Sequence, residues 1–151
     1  MLSLEWLAGF FDADGCVTIC KTKRGSTFRH VLRVEITNCY KPVIGKIQAN
    51  FPGTVTINRL SDRKRKNKNE CGIRDTYQWC IGATKALAFL EAIRPHMEVK
   101  GREADIAITF QRHVADHPRN GHRLSDSVLS YRDSLAKQCS AFKKQRYAAN
   151  S

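Results

Sequence analysis

Residues 7–15 read Leu-Ala-Gly-Phe-Phe-Asp-Ala-Asp-Gly, and this segment restricts the fold more than any other part of the chain. Leu4, Leu7, Ala8 and Phe11 recur at i, i+3, i+4 and i+7, the spacing of one apolar helix face, with Ser3 placed as N-cap and Glu5 in the first turn. Gly15 stops that helix. Inside it, Gly9 costs roughly 1 kcal/mol relative to alanine, a loss that makes sense where another backbone approaches closely. Ala8, Gly9 and Ala13 together offer a small-residue surface for a second helix.

Asp14 falls at the C-terminal end of the same helix, where the macrodipole disfavours a carboxylate by roughly 0.3–1 kcal/mol. A cation there would compensate. Mg²⁺ suits the position, because it is a hard ion that takes carboxylate, carbonyl and phosphate oxygens while keeping several waters. A bare Asp-x-Asp-Gly is also a common acidic turn, so the information lies in the whole nonapeptide.

After Gly15 the period changes from that of a helix to that of a strand. Val17 and Ile19 alternate with Cys16, Thr18, Cys20 and Thr22, and Lys23, Arg24, Gly25 and Ser26 make a turn. Leu32, Val34 and Ile36 then alternate with Arg29, Val31, Arg33 and Glu35, completing a hairpin with one core face and one polar, basic face. Pro42 opens a helix marked by Ile44, Ile47 and Phe51, which Pro52 and Gly53 end. A second hairpin pairs Val55 and Ile57 with Tyr77, Trp79 and Ile81, around an Arg-, Lys- and Asn-rich connection at residues 61–74. Ala86, Phe89, Leu90 and Ile93 trace another helix, closed by Pro95; Ile106, Phe110 and Val114 mark the next. Val128, Tyr131, Leu135, Cys139 and Phe142 mark the last, and residues 146–151 read as a frayed tail.

A chain of 151 residues is one domain in size. We read a single domain over 1–151, with its core at 3–115 and a C-terminal helix at 125–143. Lys and Arg number 26 against 14 acidic residues, a net charge of +12 that points to a polyanionic partner, nucleic acid first. The chain has no apolar run of about 18 residues and no signal-peptide pattern. It is therefore expected to be soluble and intracellular without a membrane partner; an organelle (chloroplast or mitochondrion) and a prokaryotic cytoplasm fit equally. Six cysteines without Cys-x-x-Cys spacing read as reduced thiols, and five scattered histidines do not suggest a zinc or His-Cys nuclease.

The nonapeptide closely resembles the motif of the LAGLIDADG homing endonucleases. Leu7, Ala8, Gly9, Asp12, Ala13, Asp14 and Gly15 stand at the motif's positions, and Phe10 and Phe11 replace two aliphatic residues. The coarse order also resembles that family's αββαββα fold over residues 4–110, with extra C-terminal helices. The resemblance implies an α+β fold whose curved, four-stranded antiparallel sheet sits in the DNA major groove. Because the chain carries one motif, it further implies a homodimer joined by the motif helices, with Leu4, Leu7, Ala8, Gly9, Phe11 and Asp12 at the interface.

For chemistry, the resemblance implies that Asp14 binds Mg²⁺ with the Ala13 carbonyl and the scissile phosphates; Asp12 would hydrogen-bond locally. Lys100, in a segment similar to the family's stretch carrying a catalytic lysine, would act on the attacking water or the developing phosphorane charge. Asn38 would order solvent around the nucleophile. For readout, the polar sheet face offers Thr18, Cys20, Thr22, Arg24, Arg29, Arg33, Glu35, Thr56, Asn58, Thr76 and Gln78, side chains able to discriminate base edges. Lys41, Arg63, Lys64, Arg65, Lys66, Lys68 and Arg74 would hold phosphates. Related chains act instead as maturases on intron RNA or as non-cleaving DNA-binding regulators. An organic cofactor is not expected.

If the connection at 61–74 grips phosphates, changing Arg63, Lys64, Arg65 and Lys66 to Ala should flatten the slope of log K against log salt by about 0.9 per lost contact per subunit. Preference among sequences should change little. A salt titration of duplex binding with an unchanged slope would place the loop in solvent.

Overall fold

The computed structural model describes residues 2–25, 27–59 and 74–148, apart from the side chains of 24, 27 and 147. The order is α1 Leu4–Asp14, β1 Gly15–Arg24, β2 Thr27–Asn38, α2 Lys41–Asn50, β3 Thr54–Asn58, β4 Thr76–Gly82, α3 Ala83–Ile93, α4 Gly101–Asp116 and α5 Asp126–Ala148, with a 3-10 turn Arg94–His96 before α4. Among the described residues the strands form one antiparallel sheet in the order β1-β2-β4-β3. The expected αββαββα order with two further helices is what folds. Among the described residues, no helix is long and apolar enough to cross a membrane.

Register explains how a sheet acquires two unlike faces. Val17 lies opposite Val34, Ile19 opposite Leu32, and Val34 and Ile36 opposite Ile81 and Trp79, so the apolar residues of three strands share one face. Beneath it, the ring of Phe89 from α3 meets Phe11, Phe51 and Trp79 at 5.4, 5.0 and 5.1 Å between centroids. Edge and tilted contacts of this kind stabilise beyond the area they bury. Gly53 lies tight against this cluster, since a Cβ there would stand 2.6 Å from the Cys80 carbonyl and 2.8 Å from the Trp79 indole nitrogen.

Ser3 caps α1 as expected, its hydroxyl accepting from the Trp6 N–H at 3.1 Å. Gly15 ends the helix for a different reason from the left-handed turn that glycine commonly supplies there. Its backbone is extended (φ −80°), and a Cβ would overlap the Phe11 ring.

The last two helices correct the sequence reading. In α4 the buried face runs through Ala104, Ala107, Ile108, Phe110 and Gln111, whereas Ile106 and Val114 are only half-buried. The small residues allow α4 to be packed on two sides, against the rest of the core and against α5. In α5, Leu135 and Cys139 are buried as expected, but Tyr131 faces solvent and Arg132 is buried in its place. The tail was misjudged too: α5 continues to Ala148, and Arg146 pairs with the buried carboxylate of Glu103. Five cysteines are described and all are free thiols.

Candidate active site and nucleic-acid interface

Where α1 ends, two groups far apart in sequence hold its terminus from opposite sides. The Lys100 ammonium, only 6% exposed, donates to the carbonyl oxygens of Phe11, Asp12 and Ala13 at 3.0, 2.6 and 3.2 Å. These are carbonyls that a helix leaves without partners, and a cation there is favoured by the helix dipole. In return, the Asp12 carboxylate accepts from the backbone N–H groups of Glu98, Val99 and Lys100 at 2.8, 3.0 and 2.9 Å, just ahead of α4. Burial lowers the Lys100 pKa, Arg146 adding to the effect and Asp12 opposing it.

Asp12 therefore does not bond locally as expected: its partners lie 86–88 residues away. Nor is Lys100 a free cation facing solvent. The charge expected to offset the helix end is present as this ammonium.

Asp14, the next turn outward, is exposed. One of its carboxylate oxygens accepts from the Asn38 side-chain amide at 2.6 Å, and the Asn38 oxygen accepts from the Tyr40 N–H at 2.7 Å, which fixes the amide's orientation. Antiparallel pairing delivers this contact, because Gly15 at the start of β1 faces Ile36 near the end of β2. Lys41, exposed at the start of α2, lies over the Tyr77 ring at 6.0 Å. Among the described residues no cluster of three or more His, Cys, Asp or Glu side chains is arranged to hold an ion. Asp14 thus stands outside any such cluster, held by Asn38.

The expected dimer residues divide. Leu7, Ala8 and Phe11 are completely buried in this chain's own core, beneath the sheet and α3, so they cannot meet a second copy; Asp12 is held by the 98–100 backbone. The other side of α1 remains open. Leu4 is 37% and Trp6 44% exposed, Trp6 stacks on Phe10 at 5.1 Å, and a Cβ on Gly9 would meet nothing within 4 Å. A groove of about 780 Å³ runs beside this face between Trp6, Phe10, Tyr40, Pro42 and Val43.

Strand register also gathers the readout candidates. Thr18 pairs with Arg33, Thr22 with Arg29, Thr56 with Gln78 and Asn58 with Thr76, while Glu35 pairs with Cys80 opposite Cys16. All stand on the sheet face away from the core, and none is buried. Arg33 pairs with Glu35 and donates to the Cys80 sulfur at 3.2 Å, and Gln78 donates to Glu35 at 3.2 Å. Cys20 shares this face. The same parity adds Thr37 and Thr54, which the sequence reading passed over. Lys143 was missed as well: from α5 it donates to the Thr18 hydroxyl at 2.7 Å and the Cys16 sulfur at 3.2 Å. Its spacing of four from buried Cys139 was the available signal. The Arg24 side chain and Arg63, Lys64, Arg65, Lys66 and Lys68 lie outside the described residues; Arg74 is exposed before β4.

The family model described as LAGLIDADG endonuclease matches residues 7–87, more than half of the chain. The chain belongs to the LAGLIDADG homing endonuclease family, in its single-motif form. Solved structures of similar fold include the homing endonuclease I-CvuI, in complex with the I-CreI target in the presence of Mg (TM-score 0.71, 20% identity, 92% of this chain and 80% of that one). The archaeal intron-encoded homing endonuclease I-Vdi141I, complexed with DNA, matches with TM-score 0.71 at 16% identity over 92% of this chain and 82% of that one. I-GzeII in complex with its DNA target matches with TM-score 0.65 and 14% identity, over 90% of this chain but 44% of that one. A search of curated proteins gave no match.

Lys100→Met removes the donor from three carbonyls while keeping the aliphatic bulk. It should lower the unfolding free energy by about 2 kcal/mol, measured by urea denaturation. An unchanged midpoint would mean that solvent replaces the ammonium without loss.

Proposed function

We propose that this chain is a homodimeric, site-specific endonuclease that cuts both strands of a long, pseudo-palindromic duplex, using a divalent cation, Mg²⁺ by the chemistry of its ligands, and so promotes homing of an intron or mobile element. The observation that carries this reading is Asp14: an exposed carboxylate at the end of a helix whose open face bears Gly9, beside a sheet face rich in polar and basic groups. One chain supplies one such carboxylate. A symmetric pair would supply two, one for each strand. That I-GzeII is matched over less than half its length agrees with a site built from two units of this size.

The donor set fits a hard cation: a carboxylate oxygen left free by Asn38, with the Ala13 carbonyl nearby but already shared with Lys100. Such a cation would polarise a phosphate oxygen and lower the pKa of water. The chain's own part is positional. Asn38 orients the Asp14 carboxylate, and the Lys100–Asp12 clamp fixes the helix end that carries it. The resemblance gave Lys100 and Asn38 catalytic roles; we assign both to holding Asp14 in place. The polar sheet face would then lie in the major groove, Arg29, Arg33, Gln78 and Asn58 reading bases and Lys41 and Lys143 meeting phosphates.

Asp14→Asn is nearly isosteric and removes the anion. It should abolish cation-dependent cleavage while a gel shift on the same target stays within about threefold. Retention of a cleavage rate within about tenfold of the parent, a loss of only ~1.4 kcal/mol in the transition state, would overturn the assignment.

A further inference from the structure

At the end of the sheet remote from Asp14, a cleft of about 860 Å³ opens between the β1–β2 hairpin, the C-terminal half of α4 and the start of α5. Lys21 and His30 pair across the hairpin there. They lie six strand residues beyond Gly15, roughly 20 Å away at the usual strand rise. The cleft therefore lies apart from the α1 end and meets the outer sheet face at Arg29 and Val31.

Its wall holds a charge without a counter-charge. Arg132 is 6% exposed, donates to the His117 carbonyl at 2.9 Å and makes a long contact to the His113 ring at 3.5 Å; among the described residues no carboxylate pairs with it. Burial alone lowers the guanidinium's pKa. A buried cation of this kind is costly unless something negative reaches it. Among the described residues the one carboxylate lining the cleft, Asp133, is already engaged by Lys21 at 2.7 Å, Lys137 at 2.9 Å and His30 at 3.3 Å. Arg29, Arg119 and Arg123 add further positive charge to the lining.

The rest of the lining is apolar. Phe28, Val114, Pro118, Leu124 and Leu129 give the cleft surface on which a flat organic body can pack. Its volume is in the range of small-molecule sites and far exceeds a bare phosphate ion. Guanidinium groups favour phosphate because their planar donors match its oxygens. We propose that this cleft is a binding site for a phosphorylated, ring-bearing ligand of mononucleotide size, with Arg132 as its inner anion anchor and Arg119 and Arg123 at its mouth. A free nucleotide and the 5′-terminal nucleotide of a strand present the same chemistry. The site is independent of the cleavage reading.

The test is calorimetric titration of the full-length protein with AMP, adenosine and inorganic phosphate, alongside a short single strand with and without a 5′-phosphate. AMP should bind measurably below about 1 mM, and adenosine and phosphate at least about tenfold more weakly. Arg132→Met should weaken AMP about tenfold or more. Arg119→Ala combined with Arg123→Ala, both at exposed positions, should weaken it in the same direction and serves if Arg132→Met does not fold. Arg33→Ala on the sheet face should leave it unchanged. Preference for the phosphorylated strand over AMP would identify a strand end as the source, and the reverse a free nucleotide. Absence of AMP and strand binding at 1 mM, or AMP affinity within about twofold of the parent in the cleft variants, overturns the proposal.

Discussion

The exchange between Lys100 and Asp12 holds the C-terminal end of α1 against the backbone ahead of α4. A helix that presents an acidic residue at its C-terminus has an electrostatic problem, because bare carbonyls and carboxylate are both negative there. Lys100 answers it by placing one cation under three carbonyls, and Asp12 answers the converse problem ahead of α4 by accepting three N–H groups. Each segment thereby neutralises the other's exposed backbone. With the end fixed, Asp14 can stand free of the core with Asn38 as its side-chain partner.

Much of this was legible because periodicity reports which face is buried. Alternation assigned both hairpins and their faces, and the register then put Thr18, Arg33, Glu35 and Gln78 on one surface without further information. Of the apolar stripe read in α1, Leu7, Ala8 and Phe11 are buried and Leu4 is exposed, and the buried three do not go to the expected seam between subunits. Leu7, Ala8 and Phe11 serve the chain's own core, and the face left for a partner is the one carrying Trp6, Gly9 and Phe10. Spacing shows that a face will be covered; it does not show by what.

Charged residues were the harder case. Lys100 was expected at the cleavage site, Arg146 in a frayed tail, and Arg132 and Lys143 drew no expectation, yet each reaches inward over a long aliphatic stem to a polar group 15 or more residues distant. In α5 this shifts the inward stripe to Arg132, Leu135, Cys139 and Lys143, leaving Tyr131 outside. No local pattern encodes such contacts, since they depend on where tertiary packing leaves unpaired carbonyls and carboxylates.

Under the proposed function a single-motif chain brings one carboxylate, Asp14, to the end of α1 and would act on two strands as a pair, which requires close packing of two α1 helices at Gly9. That position is unusually clean to test, because a side chain added there meets nothing within its own subunit. Gly9→Leu should leave the monomer's circular dichroism and thermal unfolding intact while sedimentation changes from dimer to monomer and double-strand cleavage is lost. A Gly9→Leu protein that still sediments as the parent dimer and still cuts both strands would contradict the account.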